Sequence, residues 1–297
     1  MKTKVLILAI FSSLLCVVGC QNSPETSIGF TSKNSLVAYN LKGDISNIKI
    51  STFEAVKKNG EIAIGDGYFI FGINADIHFN ELGNIVFWEN RNSDGTSGRL
   101  EFYEYNGENK QECIRTKRLN NGEFIEESRT ENRFANGFLS VARSVSTIDD
   151  DMFIGITVYC NNGIYITNIF DYAIYNDFKP TETKCIYDEK GKLKLETIYD
   201  ENKDIATCRY YIDGFLHKVE EKNRTTVLIR DEKKEVIETE FARLSGLFDA
   251  YLPYRGRCVY KYNYDSNGNW VKRFEWKKAE DGTLTPWTIT TREITYR

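Results

Sequence analysis

Short runs rich in Tyr, Phe, Ile, Val and Thr alternate with polar clusters from about residue 36 to the C-terminus. The polar clusters carry six Asn-Gly dipeptides (at Asn59, Asn106, Asn121, Asn136, Asn162 and Asn267) and four Asp-Gly dipeptides (at Asp66, Asp94, Asp213 and Asp281). These pairs tolerate the positive φ that tight hairpins require, and the intervening residues suit a pleated, half-buried surface. With only four prolines, the chain reads as a succession of antiparallel strands. Strict alternation from Trp270 to Trp276 predicts one face shared by Trp270, Lys272, Phe274 and Trp276, with Val271, Arg273 and Glu275 opposite. Helical spacing occurs once, at Phe241, Leu244, Leu247 or Phe248, and Tyr251, predicting at most one short helix over 241–251.

The first 20 residues follow a different rule. Lys2 and Lys4 precede an apolar run from Val5 to Val18, too short to span a bilayer and followed by Gly19 and Cys20. Val17-Val18-Gly19-Cys20 resembles the lipobox of bacterial lipoproteins, which implies removal of residues 1–19 and acylation of Cys20. Several acyl chains would hold the chain firmly on a membrane. Gln21, rather than Asp, follows the cysteine, and by the sorting seen in lipoproteins this implies the outer membrane. Residues 20–35 then form the lipidated cysteine and its tether, and 36–297 a single β-rich domain.

Four segments share one order: an aromatic, Asp or Asn, two variable residues, Gly, a polar residue and an apolar one. They begin at Phe79, Tyr187, Tyr199 and Tyr264. The Asx side chain bonds the turn backbone and Gly takes the left-handed position. The third segment has Lys203 where Gly stands elsewhere, so either Asn202 or the lysine itself is left-handed there. These segments resemble the YD repeats of bacterial RHS-type proteins. Leu41-Lys42-Gly43-Asp44-Ile45, followed by Phe53-Glu54-Ala55-Val56 and Gly60-Glu61, is similar to the opening of small exported proteins of this type. The resemblance implies an all-β meander of hairpins forming a long curved sheet, with repeat residues that are structural and no catalytic residue carried over.

Composition narrows the function classes. Without residues 1–19 the chain loses two of 39 basic residues and none of 43 acidic ones, leaving 37 against 43, a balance of −6. Bases and acids are interleaved, as in Lys218 to Lys222, so nucleic acid is excluded as a partner. Cys113, Cys160, Cys185, Cys208 and Cys258 could form at most two disulfides, and their spacing suits neither a structural zinc nor a defined pairing. No cofactor is implied. The two histidines, His78 and His217, lie in strand-like runs outside any nucleophile motif. Asp149-Asp150-Asp151 and Asp265 to Asn269 are conceivable cation loops, but the second lacks a closing glutamate at its twelfth residue, where Trp276 stands. Trp88, Trp276 and Trp287 are candidate binding residues for a glycan. Two functions therefore compete: a non-enzymatic envelope lipoprotein with a glycan or protein partner, and an exported glycan- or peptidoglycan-acting hydrolase using a carboxylate pair.

Overall fold

The computed structural model describes residues 36, 40–68, 74–92, 94–106, 110–120, 122–135, 138–147, 152–162, 166–173, 180–222, 224–243 and 255–297. Nineteen strands follow one another among them: β1 Ile45–Lys58, β2 Glu61–Tyr68, β3 Ala75–Phe79, β4 Ile85–Arg91, β5 Ser97–Tyr105, β6 Gln111–Asn120, β7 Glu123–Ala135, β8 Phe138–Ser146, β9 Met152–Asn161 and β10 Ile166–Ala173. The second half continues with β11 Thr181–Tyr187, β12 Leu193–Tyr199, β13 Ile205–Ile212, β14 Phe215–Glu221, β15 Arg224–Arg230, β16 Val236–Arg243, β17 Arg255–Tyr264, β18 Trp270–Lys278 and β19 Leu284–Tyr296. From β3 onward each strand pairs antiparallel with the next in sequence, as a hairpin meander must.

The meander does not stay open. β19 pairs with β1 in a register running from Ile48↔Ile294 to Glu54↔Thr288. On its other edge β1 pairs with β3, from Asn47↔His78 to Ile50↔Ala75, and beyond that with β2, from Phe53↔Tyr68 to Lys58↔Glu61. β2 and β3 thus run along the same edge of β1 as two parts of one interrupted strand, and the ring closes as an 18-strand antiparallel barrel. This corrects the long curved sheet expected from the repeats. Local turn chemistry makes the hairpins, but closure depends on the first and last strands matching in register, which no single hairpin encodes. At the interruption, Asn74 is 2% exposed, accepts from the Thr52 N–H at 2.8 Å and offers its own carbonyl to Arg91 N–H at 2.8 Å. The β1–β19 ladder stops at Glu54↔Thr288; two residues further on, Pro286 has no N–H to offer.

The expected helix over 241–251 is not formed at its start, because Phe241 to Arg243 complete β16; residues 244–251 lie outside the described set. Phe241 pairs across the ladder with Gly256, and its ring occupies the space where a Cβ of Gly256 would stand. The first residue of the apparent helical period, Phe241, is thus an inward-facing strand residue.

One five-residue turn recurs at residues 80–84, 92–96, 188–192, 200–204, 231–235, 265–269 and 279–283. In each, the first N–H donates to the fifth carbonyl and the fourth N–H to the first carbonyl. Asn80, Asp188, Asp200 and Asp265 also accept N–H groups two and four residues ahead on one side-chain oxygen. Glycine holds the fourth, left-handed position five times, while Lys203 (φ 69°) and Lys234 (φ 68°) hold it in the other two. The lysine alternative is therefore the correct one at 203. Asp66-Gly67, by contrast, lies within β2 and makes no turn.

Which face of the wall points inward follows from the segment before β1. Leu41 N–H bonds back to the Leu36 carbonyl at 2.8 Å, which draws these two residues close together. Yet Leu36 N–H reaches Gly83 O at 3.2 Å, and Asn40 Nδ2 reaches Lys233 O at 3.0 Å. Between those two contacts the wall runs through β3, β1, β19, β18, β17 and β16, about 29 Å of ladder at ~4.8 Å per strand. The five residues from Leu36 to Asn40 cover roughly half of that at most. The segment is a chord, and a chord lies on the concave side. Leu36 and Leu41, each 7% exposed, pack there against Ile48, Ile50, Ala75, Ile77, Phe79 and Ile85. The face bearing those residues is the inner one.

Candidate binding site inside the barrel

Residues directly opposite in an antiparallel ladder share a face, so the inner wall can be followed strand by strand around the ring. It carries a high proportion of hydroxyls: Thr52, Thr116, Thr130, Ser144, Thr157, Thr183, Thr207, Thr226, Thr239, Thr288 and Thr290. Several bond one another or an acid, as in Thr52–Thr290 at 3.3 Å, Thr130–Ser144 at 2.9 Å and Thr288 to Glu275 at 2.8 Å. Two inner tyrosines are held in the phenol form. Burial, then the Glu196 carboxylate that accepts from its hydroxyl at 2.5 Å, pushes the Tyr211 hydroxyl far above its ordinary value. Burial, then Glu275, does the same to Tyr260.

Beside the apolar cluster the inner wall forms a recess of about 310 Å³ lined by Trp88, Asn90, Arg99, Glu101 and Tyr103. Its geometry is set by β4 and β5, whose register places Trp88 opposite Glu101 and Asn90 opposite Arg99. Trp88 also lies opposite Ile77 on β3, and Trp88 and Tyr103 both pack on the buried cluster. Tyr103 donates its hydroxyl to Glu101 Oε2 at 2.6 Å, and Arg99 Nε lies 3.4 Å from Glu101 Oε1. Arg99 and Asn90 are exposed at the mouth. Glu101 is the one carboxylate among the lining residues, so the recess does not hold the acid pair that glycoside hydrolysis by two carboxyl groups needs.

Of the three candidate tryptophans, then, Trp88 alone lines this recess. Trp276 is on the outer wall, opposite Val259, 9% exposed, 5.8 Å from Phe274 in a stacked arrangement and capped by Lys261 Nζ at 5.5 Å. Trp287 has Lys277 Nζ 4.2 Å over its ring. They form no common platform. Trp270 departs from the expected alternation as well. A register shift between Asn263 and Tyr264 turns it to the inner face, where it meets Tyr262 at 5.8 Å and the Arg292 guanidinium at 3.4 Å. The lining residues missed by reading the sequence, Arg99, Glu101 and Tyr103, do alternate along β5. In a chain this rich in charge that spacing had no distinguishing value.

The remaining candidates are dispersed. Cys20 and Asp149 to Asp151 lie outside the described residues. The five cysteines at 113, 160, 185, 208 and 258 are free thiols, two of them buried. Asp265 spends one oxygen on the Asn267 and Asn269 N–H groups and the other on the Tyr296 hydroxyl, which makes its loop a turn. His78 lies 3.2 Å from Asp76 on the outer wall, and His217 Nδ1 is 3.1 Å from Leu228 O. Among the described residues no group of three or more His, Cys, Asp or Glu side chains could hold a metal ion.

The outer wall is strongly ionic. Arg91 pairs with Glu89 at 2.9 Å, Arg115 with Glu104 at 2.7 Å, Arg129 with Glu131 at 3.1 Å, Lys218 with Glu220 at 2.5 Å and Arg257 with Glu240 at 2.8 Å. Even its aromatic rings carry ammonium groups: Lys117 Nζ is 5.3 Å from the Phe102 ring and Lys272 Nζ 4.8 Å from Phe274.

No protein-family model and no curated protein matches the chain. Among solved structures, a porin-like protein from Bacteroides uniformis ATCC 8492 is similar over 86% of this chain and 98% of its own, at 9% identity and a TM-score of 0.42. A porin-like protein from Bacteroides vulgatus ATCC 8482 is similar over 85% and 98%, at 11% identity and a TM-score of 0.32. The toxin complex TcdB2–TccC3, of the YD/RHS-repeat type, is similar over 82% of this chain but 16% of its own, at 12% identity and a TM-score of 0.33.

Proposed function

We propose that the protein is a non-enzymatic binding lipoprotein of the cell envelope, tethered to the outer membrane by acylated Cys20, whose barrel stands in water beside the bilayer. On this reading residues 1–19 are a signal peptide, 20–35 the lipidated cysteine and its tether, and 36–297 the barrel domain. The observation that carries it is the ionic outer wall. A spanning barrel presents lipid with an apolar band about 25 Å tall, whereas here paired charges occupy outward positions along β3 to β7 and again on β14 and β16 to β18. Part of the wall is also short. β11, β12, β14 and β15 have 7 residues each, about 18 Å of height at ~3.3 Å per residue and a tilt of ~40°. The tether enters at the rim fastened by Leu36, Asn40 and Lys42, so that rim faces the membrane. The hydroxyl-rich interior with its aromatic recess supplies a place for a polar partner.

Fractionation of cells expressing the full chain and its Cys20→Ala variant tests this. We expect the wild type to sediment with the outer membrane and incorporate labelled fatty acid, and the variant to appear folded in the soluble fraction without label. A folded Cys20→Ala protein that stays in the membrane after a high-salt wash would make the barrel an integral one and overturn the reading.

A further inference from the structure

Taking the envelope-binding reading as its frame, we infer that the recess of Trp88, Asn90, Arg99, Glu101 and Tyr103 is the binding site, and that its ligand is a neutral saccharide unit. Two aromatics, Trp88 and Tyr103, pack on the buried cluster around Ile77 and Ile85. The Glu101 carboxylate lies opposite Trp88 and next to Tyr103 on the same face of β5, and the Asn90 amide and Arg99 guanidinium stand opposite each other beside them. A pyranose has the complementary division, with C–H groups on its ring faces and hydroxyls, each both donor and acceptor, around its edge.

Charge selects against ionic ligands. Arg99 and Glu101 lie 3.4 Å apart, and Glu101 already accepts from the Tyr103 hydroxyl at 2.6 Å, so the recess carries one positive and one negative side chain and no net charge. An anionic ligand drawn to Arg99 meets the carboxylate, and a cationic one drawn to Glu101 meets the guanidinium. Hydroxyl groups can instead donate to one and accept from the other at no electrostatic cost. The volume of about 310 Å³ is at the small end of ligand pockets, which run from about 300 to 1,000 Å³, and suits one or two sugar rings. Since the mouth opens past the exposed Arg99 and Asn90, the unit can belong to a longer glycan.

The test uses the full chain in lauryldimethylamine oxide, a detergent without a sugar headgroup, titrated with glucose, maltose, cellobiose, galacturonic acid and glucosamine. Binding is read by tryptophan emission and by calorimetry. We expect saturable binding of at least one neutral sugar, weakened about ten-fold or more by Trp88→Ala and by Arg99→Gln. Trp276→Phe, on the outer wall, should leave the affinity unchanged. Because Trp88 touches the core, Arg99→Gln at its exposed position decides the matter if Trp88→Ala does not fold. Absence of saturation by every neutral sugar, preference for galacturonate or glucosamine, or unchanged affinity in Arg99→Gln would overturn the assignment. The anchor is read separately by fractionation, so either reading can fail without the other.

Discussion

Closure of the ring by β1 and β19 makes a prediction that an open sheet cannot share. Thr52 and Thr290 are register partners on the inner wall, their hydroxyl oxygens are 3.3 Å apart, and both are nearly fully buried. Sulfur atoms placed at those oxygens need only a small rotation to reach disulfide geometry. The double variant Thr52→Cys, Thr290→Cys should therefore form an intramolecular disulfide under oxidising conditions. In an open 18-strand sheet the same two strands would be at opposite edges, about 80 Å apart at ~4.8 Å per strand. The closed loop spans 238 residues of sequence, for which the chain-entropy relation gives a stabilisation of about 5 kcal/mol. Engineered bridges often return less, so a gain of several degrees in the unfolding midpoint is expected, abolished by reductant. Non-reducing peptide mapping identifies the 52–290 bridge against the five native thiols, and circular dichroism with and without reductant gives the shift. A folded double variant with both new thiols free, or bridged only between molecules, would refute the closed barrel.

Backbone strain at the turns gives a second prediction, with opposite signs at two kinds of site. Lys203→Gly and Lys234→Gly relieve left-handed lysines and should each stabilise by a few tenths to about 1 kcal/mol, whereas Gly268→Val, at φ 79°, should destabilise by about 2 kcal/mol; denaturant midpoints that move the other way would remove the turn assignment. A third concerns Glu235, whose carboxyl is raised by burial despite accepting from Asn40 Nδ2 at 2.7 Å. A raised folded value means the folded state holds the proton more tightly, so this group's penalty is absent below its unfolded value near 4.5 and grows as pH rises through the folded one. Glu235→Gln keeps an acceptor for Asn40, and it should be neutral at pH 4 and more stable than wild type at pH 8. A stability difference that is the same at both pH values would contradict that origin.

Much of the local structure was legible in the sequence because it is made locally. Aromatic-Asx-x-x-Gly marks the turns beginning at Asn80, Asp188 and Asp265 without reference to the rest of the chain, since the side chain and the backbone it bonds are at most four residues apart. The turns at Asn92, Asp231 and Ala279 adopt the same geometry but follow Arg91, Arg230 and Lys278 where the motif has an aromatic, and so escaped it. What the sequence concealed is of two kinds. Facing is one: the register shift beside Tyr264 moves Trp270 to the inner wall while Trp276 stays on the outer, which plain alternation cannot show. Closure is the other, for the Thr52–Thr290 contact joins residues 238 apart. The candidate recess depends on the first of these alone, because Trp88, Arg99 and Tyr103 come to one face through the β4–β5 register.

The same geometry bears on the proposal that the barrel stands beside a membrane instead of crossing it. The ring is large, and its hydroxyl-lined interior resembles a wet lumen. Its described exterior carries charges on many strands. Arg91, Arg115, Arg129, Lys184 and Arg257 all project outward, each beside an acid within 4 Å. A basic residue facing lipid at the midplane costs about 2 to 4 kcal/mol. Five of them would approach or exceed the roughly 5 to 15 kcal/mol by which a folded domain is stable, even after pairing recovered half of the cost. In water the same pairs cost almost nothing and keep an edge-free sheet soluble. A chain with this outer wall needs some other means of remaining at a membrane, and a lipidated Cys20, joined to the barrel rim at Leu36, would provide it.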